Sequence, residues 1–346
     1  MNSKQTLSFL AIALLCVSQL SAQEAFPVTA ANTNKITIDL VPVGDPNNRS
    51  DAAPGDPSSF GFGSVDKEYQ IGKYDVTVEQ YCAFLNAVAS KSDPHQLYDE
   101  RMTTDPDVAC ITRSGDKTTG YTYQPMSDSC KKFPITYVNL FSAFRFCNWL
   151  ENGQPVGKET PETTERGAYF PAYGCFIPTP NSKWNIPTEN QWYKAAYYSP
   201  VTSEHCGSLY YSYGTSSAYE QPSNSLLTPD APNEANYCLY GVFTTSEQPR
   251  LTPVGTFTHS ASPCGAYDMA GNVNQWTTTP LANEGLDACK LIVRRGSWAS
   301  TDAAELRFMH CFCNEANARL STLGFRVVYN EAALKKKSAS SWWWPL

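Results

Sequence analysis

Short stretches in which hydrophobic and polar residues alternate are separated, along this chain, by long stretches without any period. Alternation predicts β-strands at five places, residues 36–43, 69–76, 252–257, 291–295 and 325–329. A further stretch, residues 111–123, is typical of a β-hairpin, and Ser114 and Gly115 are predicted to form its turn.

Three helices are predicted between these strands. Thr77 opens a T-x-x-Q capping box before apolar residues at helical spacing, so a helix is expected from there to near Ser90. The same box at Thr188 opens a helix that extends through Ala196. A strongly aromatic helix is predicted over residues 139–150. Both boxes are ordinary helix starts, and no chemistry is assigned to them.

Residues 197–236 are dense in Tyr, Ser and Pro and show almost no period. Two interpretations stay open for them, an ordered surface excursion and a substrate-facing loop. The chain has 346 residues, 42% hydrophobic and 17% charged, which indicates a globular protein with ample length for a core. Its net charge of −7 argues against sequence-independent nucleic-acid binding, which needs a basic surface.

The two ends of the chain differ from the rest in composition. Residues 1–22 carry a lysine, an apolar run and small residues in the order of a secretory signal peptide, which predicts an exported chain starting near Gln23. Lipid attachment at Cys16 is not expected, and no later stretch is apolar enough to span a membrane. Residues 331–346 join three lysines to three tryptophans, which predicts a tail, either frayed or docked on an anionic membrane or a partner.

Eleven of the twelve cysteines follow the predicted signal peptide. An oxidising compartment favours disulfide bonds between them. The odd number leaves at least one thiol free or bonded to another molecule, and the sequence does not give the connectivity.

The stretch of residues 264–276, CGAYDMAGNVNQW, predicts a tightly wound loop, because its glycines and asparagines allow unusual backbone conformations and its apolar residues anchor it. Oxygen donors of the kind that calcium prefers are crowded in it. They are the side chains of Asp268 and Gln275 and the carbonyls near Gly271 and Val273. A purely structural turn has the same composition, so that interpretation also stands.

Six motifs follow one another along the chain. They are YDVTVEQY from Tyr74, FPITYVNLFSAFRFCNWL from Phe133, WNIPTENQWYKAA from Trp184, GAYDMAGNVNQW from Gly265, RRGSW from Arg294 and GFRV from Gly324. Together they resemble the formylglycine-generating enzyme, or sulfatase-modifying factor, family. The resemblance covers roughly residues 35–330. It implies a single α+β domain over residues 23–330, related to the C-type lectin fold, rich in long loops and poor in regular secondary structure.

Active members of that family bind copper through two cysteines and use oxygen to convert a sulfatase cysteine to formylglycine. The resemblance places those two positions on Ser300 and Glu305. A hydroxyl and a carboxylate do not hold Cu(I) as two thiolates do, so copper binding and the family's oxidation are expected to fail. Cys311 and Cys313 are the thiols that an altered oxidase would use, although a C-x-C pair in an exported protein is more often in disulfides.

The resemblance also implies calcium, bound by the same four donors in residues 264–276. It places the first ligands of a second calcium site on Asn236 and the Tyr237 carbonyl, with Glu247 as a loose match for the acidic partner. Cys147 lies where the family has a structural cysteine, but the position of that cysteine's usual partner is Val327, so the disulfide framework must differ.

Three further sets of side chains are noted for function. Arginines that fall where the family builds its substrate groove are expected to pair with carboxylates rather than hold an anion; they are Arg294, Arg295, Arg307, Arg319 and Arg326. Aromatic residues that line a cleft or fill a core are Trp298, Tyr210, Tyr211, Tyr213 and Tyr240. The four histidines lack helical zinc spacing and are predicted to be solvated; they are His95, His205, His259 and His310.

The leading hypothesis is an exported, calcium-stabilised and catalytically degenerate domain that binds a peptide, a glycan or a protein. The alternative is an active formylglycine-generating oxidase, or a related metal-dependent oxidase that uses Cys311 and Cys313. A third hypothesis is a structural envelope protein that is cross-linked through the odd cysteine.

Overall fold

The structure is a computed structural model, and it describes residues 34–51, 61–172, 175–200, 209–226, 230–280 and 290–330. Its helices are α1 (Val78–Val88), α2 (Arg101–Thr104), α3 (Leu140–Glu151) and α4 (Glu189–Tyr197). Two 3-10 turns lie at Ser129–Lys132 and Ala303–Leu306, and a π-helical turn lies at Pro161–Glu165.

Short strands make up the rest of the regular structure. They are β1 (Leu40–Val43), β2 (Tyr69–Gly72), β3 (Ile111–Asp116), β4 (Gly120–Pro125), β5 (Tyr169–Ala172), β6 (Cys175–Pro178), β7 (Trp184–Asn185), β8 (Cys238–Leu239), β9 (Val242–Phe243), β10 (Asn274–Pro280), β11 (Lys290–Arg294), β12 (Cys311–Glu315), β13 (Leu323–Gly324) and β14 (Val328–Tyr329). One four-stranded sheet has the order β1-β2-β14-β7, and the other has the order β12-β11-β10-β13. The pairs β3–β4, β5–β6 and β8–β9 are hairpins.

Both predicted capping boxes are present. The Thr77 hydroxyl accepts the Gln80 backbone N–H at 3.3 Å, and the Gln80 side-chain oxygen accepts the Thr77 N–H at 3.0 Å. Thr188 and Gln191 make the same reciprocal pair at α4. The aromatic helix α3 begins after Asn139, whose side chain caps its first turn. The three predicted helices are therefore confirmed.

Helices α1 and α3 meet through aromatic side chains at the centre of the main core. Phe84 lies edge-on to Phe146, with ring centroids 5.3 Å apart, and Phe146 contacts Phe325 at 5.4 Å. All three rings are fully buried, and each such burial contributes about 1.5–3 kcal/mol. This packing fixes the chain at Phe325 and so carries the next residue, Arg326, into the interior.

A second core lies between α4 and the first sheet. Trp192 and Tyr193 of α4 are buried with Ile71 of β2 and Val328 of β14. A smaller third cluster gathers Tyr213 and other buried residues next to the 3-10 turn at residues 303–306. Part of the unpatterned region 197–236 is therefore core rather than surface loop.

The predicted hairpin forms, but its turn lies at residues 117–119. Ser114 and Gly115 are inside β3, which corrects the prediction. The Asp116 carboxylate accepts the backbone N–H groups of Thr118 and Thr119, each at 2.8 Å, and this local capping fixes where the chain reverses.

The strand predicted over residues 252–257 is wrong. The segment turns instead, because the Thr256 N–H donates to the Pro253 carbonyl at 3.1 Å and Gly255 has a positive φ of 73°. The strands predicted over residues 36–43, 69–76 and 325–329 are present in shortened form as β1, β2 and β14, and residues 291–295 correspond to β11.

Within the described residues, no helix is long and apolar enough to cross a membrane. The predicted signal peptide with Cys16, the start near Gln23, His205 and the tail at residues 331–346 all lie outside the described residues.

Candidate functional site

The loop at residues 264–276 is tightly wound, as predicted. Asp268 and Asn272 have positive φ angles of 56° and 61°, and Gly271 has a φ of 83°. A Cβ at Gly271 would lie 2.5 Å from the Asn236 carbonyl oxygen, so this position requires glycine. The Asn272 N–H donates to the same carbonyl at 2.8 Å. The loop is thereby held against the chain at Asn236.

Gln275 lies at the centre of a buried hydrogen-bond network behind this loop. Its Oε1 accepts from Trp192 Nε1 and from Arg326 Nε, each at 2.6 Å. Its Nε2 donates to the Asp268 carbonyl at 2.9 Å. Arg326 is fully buried and also donates to two backbone carbonyls, each at 2.8 Å. The Gln275 side chain is therefore satisfied at both ends by the protein itself.

Two buried carboxyl groups lie near the Arg326 guanidinium. Asp75 Oδ2 is 3.5 Å from Arg326 Nη2, and Asp75 Oδ1 has no hydrogen-bond partner. Burial raises the pKa of Asp75 to about 8; nearby Asp268 adds to the rise and Arg326 opposes it. Burial likewise raises the pKa of Asp268 to about 6. Asp75 thus holds its proton well above the usual range of an aspartate.

These contacts fit a calcium ion poorly at two of the four predicted ligands. The Gln275 oxygen already accepts two hydrogen bonds, one of them from a guanidinium that would repel a second cation. One Asp268 carboxylate oxygen accepts the Gly255 N–H at 2.7 Å. Calcium at this set, which includes the Gly271 and Val273 carbonyls, stays a prediction that the donor arrangement disfavours.

The residues predicted for a second calcium site lie against the same loop. Asn236 Nδ2 donates to Asn272 Oδ1 at 3.0 Å, and the Tyr237 carbonyl accepts the Thr244 hydroxyl at 2.9 Å. Glu247 is an exposed loop residue. This second site also stays a prediction.

The two positions that the resemblance assigns to copper are engaged within the protein. Ser300 is buried in a closed turn, in which its Oγ accepts the Ser297 N–H at 3.2 Å and its own N–H donates to the Ser297 carbonyl at 3.0 Å. Glu305, in the 3-10 turn that follows, forms an ion pair with Arg295 at 2.8 Å. The pair offers hard oxygen atoms with partners of their own, not the soft ligands that Cu(I) requires.

The thiols Cys311 and Cys313 lie in β12, opposite Arg294 and Ile292 of β11. Cross-strand partners share one face of a sheet, and Arg294 contacts Glu189 of α4, so both thiols point to the side that α4 covers. Residues two apart on a strand are separated by about 6.8 Å, whereas two sulfurs on one metal ion lie at most about 4.6 Å apart. The strand geometry does not present them as a ready pair.

Eight of the described cysteines, Cys175 not counted, carry free thiols, and Cys147 is among the buried ones. No disulfide bond joins any two of these eight in the described part of the chain. Val327, at the position of the family's partner cysteine, is buried as a core residue.

Three of the five late arginines pair with carboxylates, as predicted. The pairs are Arg294 with Glu189, Arg295 with Glu305 and Arg326 with Asp75. Arg319 instead donates to backbone carbonyls, at 2.7 Å to Gln96 and 3.1 Å to Tyr137, and Arg307 lies over the Phe308 ring at 6.0 Å.

The aromatic candidates separate into core and surface residues. The buried ones are Trp298, Tyr210, Tyr211 and Tyr213. Tyr240, by contrast, is 84% exposed at the tip of the β8–β9 hairpin, and its φ of 49° is one that tyrosine rarely adopts. The hairpin rests on the loop that contains Ser300, because the Cys238 N–H donates to the Ser300 carbonyl at 2.8 Å.

Two aliphatic residues extend the exposed surface around Tyr240. Val242 in β9 is 66% exposed and Leu226 is 47% exposed. Asn224 Nδ2 donates to the Val242 carbonyl at 2.7 Å, which places the chain near Leu226 beside the hairpin. We call Leu226, Tyr240 and Val242 the hairpin surface. The Tyr240 N–H donates to the Thr301 carbonyl at 3.4 Å, so the hairpin that carries this surface lies beside the residue that follows Ser300.

One cluster of titratable side chains is absent from the sequence predictions. His95, Glu159 and Glu165 place a ring nitrogen and two carboxylate oxygens within 4.8 Å of one another, a grouping found nowhere else in the described residues. His95 Nε2 lies 3.4 Å from Glu165 Oε2, which corrects its prediction as a merely solvated residue. Because His95 lies 64 residues before Glu159, no spacing motif signals the cluster. His259 is exposed, as predicted.

Comparisons with known proteins agree with this fold. The family model described as the sulfatase-modifying factor enzyme 1-like domain matches residues 37–331. Over 96 residues the chain is 34% identical to hercynine oxygenase from Mycobacterium tuberculosis, a match that covers 28% of this chain and 17% of that enzyme. The match thus spans only a small part of that enzyme's length.

Among solved structures, a crystal structure of CarF has a TM-score of 0.52 at 18% identity, and the match covers 85% of this chain and 98% of CarF. PvdO from Pseudomonas aeruginosa has a TM-score of 0.42 at 15% identity, with 85% and 92% covered. The likeness to CarF supports the fold alone.

Proposed function

Because this chain belongs to the family of the sulfatase-modifying factor enzyme 1-like domain, we propose that it is an exported, catalytically degenerate member that binds a polypeptide. The observation that carries the proposal is the arrangement at Ser300. A closed turn engages its hydroxyl, and the β8–β9 hairpin covers its backbone where an active member needs an open copper site.

The exposed residues of the hairpin surface support a binding role for a chain that lacks the family's oxidation. Tyrosine offers a large contact area at low entropic cost and is enriched where proteins recognise one another. The left-handed backbone at Tyr240 costs free energy that an asparagine or glycine would avoid. Retaining tyrosine there is therefore consistent with a role for its exposed ring. The aliphatic neighbours Val242 and Leu226 favour apolar polypeptide side chains over a glycan.

The absence of oxidation is tested directly. The purified chain is incubated with Cu(I), oxygen and a cysteine-containing sulfatase peptide, and the peptide is examined for the aldehyde by mass spectrometry. We expect no aldehyde. Aldehyde that forms with the native chain and disappears in the Cys311→Ser and Cys313→Ser double variant would establish the alternative, an oxidase that uses these thiols.

Binding is tested on peptide and glycan arrays with the native chain and a Tyr240→Asn variant. Asparagine tolerates a positive φ, so we expect this variant to be at least as stable as the native chain while its peptide signal falls at least tenfold. Phe170→Ser, on the separate β5–β6 hairpin, removes another exposed ring and should leave the signal unchanged. A signal on the glycan array alone, or equal signals for all three proteins, would contradict the proposal.

A further inference from the structure

The cluster at His95 contains a buried carboxylate that the protein leaves without a partner. Both oxygens of Glu159 expose less than 1 Å² each, and neither accepts a hydrogen bond. The neighbour that Glu159 meets is a second acid, Asp93. A buried carboxylate beside another acid requires either a bound cation or a proton.

The other side chains of the cluster are held in fixed positions around Glu159. The Glu165 carboxylate accepts hydrogen bonds from Arg145 Nε at 2.7 Å, from Arg145 Nη2 at 2.8 Å and from the Thr164 hydroxyl at 2.9 Å. The Asp93 carboxylate accepts two backbone N–H groups, at 2.6 and 2.9 Å. Hydrogen bonds of this kind orient metal-ligating carboxylates in known sites.

The charges of the cluster do not balance. Asp93, Glu159 and Glu165 bring three acidic groups together, and Arg145 supplies one guanidinium. A divalent cation would neutralise the two negative charges that remain. His95 is about one-third exposed at its side chain, so an ion has a path from solvent.

We propose that His95, Glu159 and Glu165 form a binding site for one divalent transition-metal ion. An imidazole nitrogen with carboxylate oxygens suits Mn²⁺ or Zn²⁺. The ligand atoms lie within 4.8 Å of one another. A ligand nitrogen or oxygen lies about 2.0–2.2 Å from such an ion, so small side-chain movements would bring all three atoms within bonding distance of one ion. An open cavity of about 750 Å³ lies beside the cluster and shares Asp93 with it.

Mn²⁺ is the primary probe, because the protein's free thiols bind this harder ion less readily than Zn²⁺. The full chain is stripped with a chelator, and Mn²⁺ binding is measured by calorimetry and by metal content after dialysis. We expect about one equivalent in the native chain and an affinity at least tenfold lower in His95→Asn and in Glu159→Gln. His259→Asn removes an exposed histidine outside the cluster and should bind like the native chain.

A second measurement separates a metal site from a protonated Glu159. If a proton fills this role, Glu159→Gln keeps the hydrogen-bonding capacity and Mn²⁺ does not raise the melting temperature of either protein. The metal site requires that Mn²⁺ raises the melting temperature of the native chain and not that of Glu159→Gln, with circular dichroism showing both folded. No Mn²⁺ bound by the native chain, or equal binding by His95→Asn, overturns the proposal.

Discussion

Arg326 Nε donates to Gln275 Oε1 at 2.6 Å in a region where neither side chain has appreciable exposure. The guanidinium therefore supplies the positive charge at an oxygen that the sequence predicts as a calcium ligand. The same arginine lies 3.5 Å from Asp75, so it also offsets part of the cost of burying that carboxyl group.

This arrangement predicts that calcium does not stabilise the protein through Gln275. After chelator treatment, millimolar Ca²⁺ should leave the melting temperature of Glu159→Gln unchanged; that variant removes the separate cluster at His95. A folded-state site filled at 100 times its Kd would instead add about 2.7 kcal/mol. A Ca²⁺-dependent rise of that size in Glu159→Gln would restore the calcium hypothesis for residues 268–275.

The raised pKa of Asp75 predicts a pH-dependent contribution to stability. The folded state keeps this proton up to about pH 8, whereas the unfolded chain releases it near pH 4. Between these values the folded state binds more protons, so the contribution falls as pH rises. The urea midpoint of the native chain should fall relative to that of Asp75→Asn between pH 5 and pH 9.

Asp116→Asn is the control for that experiment, because Asp116 is exposed and its pKa is lowered by hydrogen bonds from Thr119 and Thr118. Its difference from the native chain should not change between pH 5 and pH 9. Equal pH profiles for Asp75→Asn and the native chain would mean that Asp75 is ionised beside Arg326 in the folded state.

The pair of Arg294 and Glu189 predicts a large loss of stability when one partner is removed. Both side chains are about 1% exposed, so Glu189→Gln leaves a guanidinium buried without its counter-charge. We expect a loss of about 3–5 kcal/mol, measured by urea unfolding. Lys131→Ala breaks the solvent-exposed pair with Asp128 and should leave the urea midpoint unchanged. Similar small effects for both variants would show that the buried pair is dispensable.

The capping boxes predict smaller, local losses. Thr77→Ala and Thr188→Ala each remove a hydroxyl that accepts a first-turn N–H, and each should cost about 1 kcal/mol. Thr77→Ser and Thr188→Ser keep the acceptor and should lie within a few tenths of a kcal/mol of the native chain. Equal losses in the serine and alanine variants would assign the effect to the lost methyl group rather than to the cap.

Sequence reasoning succeeded where the determining contacts are local. The boxes at Thr77 and Thr188 depend on residues three positions apart, and the helices begin where these boxes predict. The family's order of motifs also indicated the fold. Gly115 predicts the wrong position for the hairpin turn, because the side-chain contacts of Asp116 decide where the chain reverses.

The sites could not be predicted in the same way, because they depend on contacts between distant parts of the chain. No residue near Gln275 in the sequence predicts that Arg326 will donate a hydrogen bond to the Gln275 side-chain oxygen. The meeting of His95 with Glu159 and Glu165 depends on the π-helical turn that follows Glu159 and on the position of α3, which carries Arg145.

The order of strands in the first sheet has a consequence for how the protein is made. β14 lies between β2 and β7, with Val328 opposite both Ile71 and Asn185, although it is the last strand in the described chain. During synthesis on the ribosome, β2 and β7 cannot complete their pairing until β14, the last described strand, has emerged. A nascent chain stalled before Val328 would keep both strand edges open to pairing with other chains.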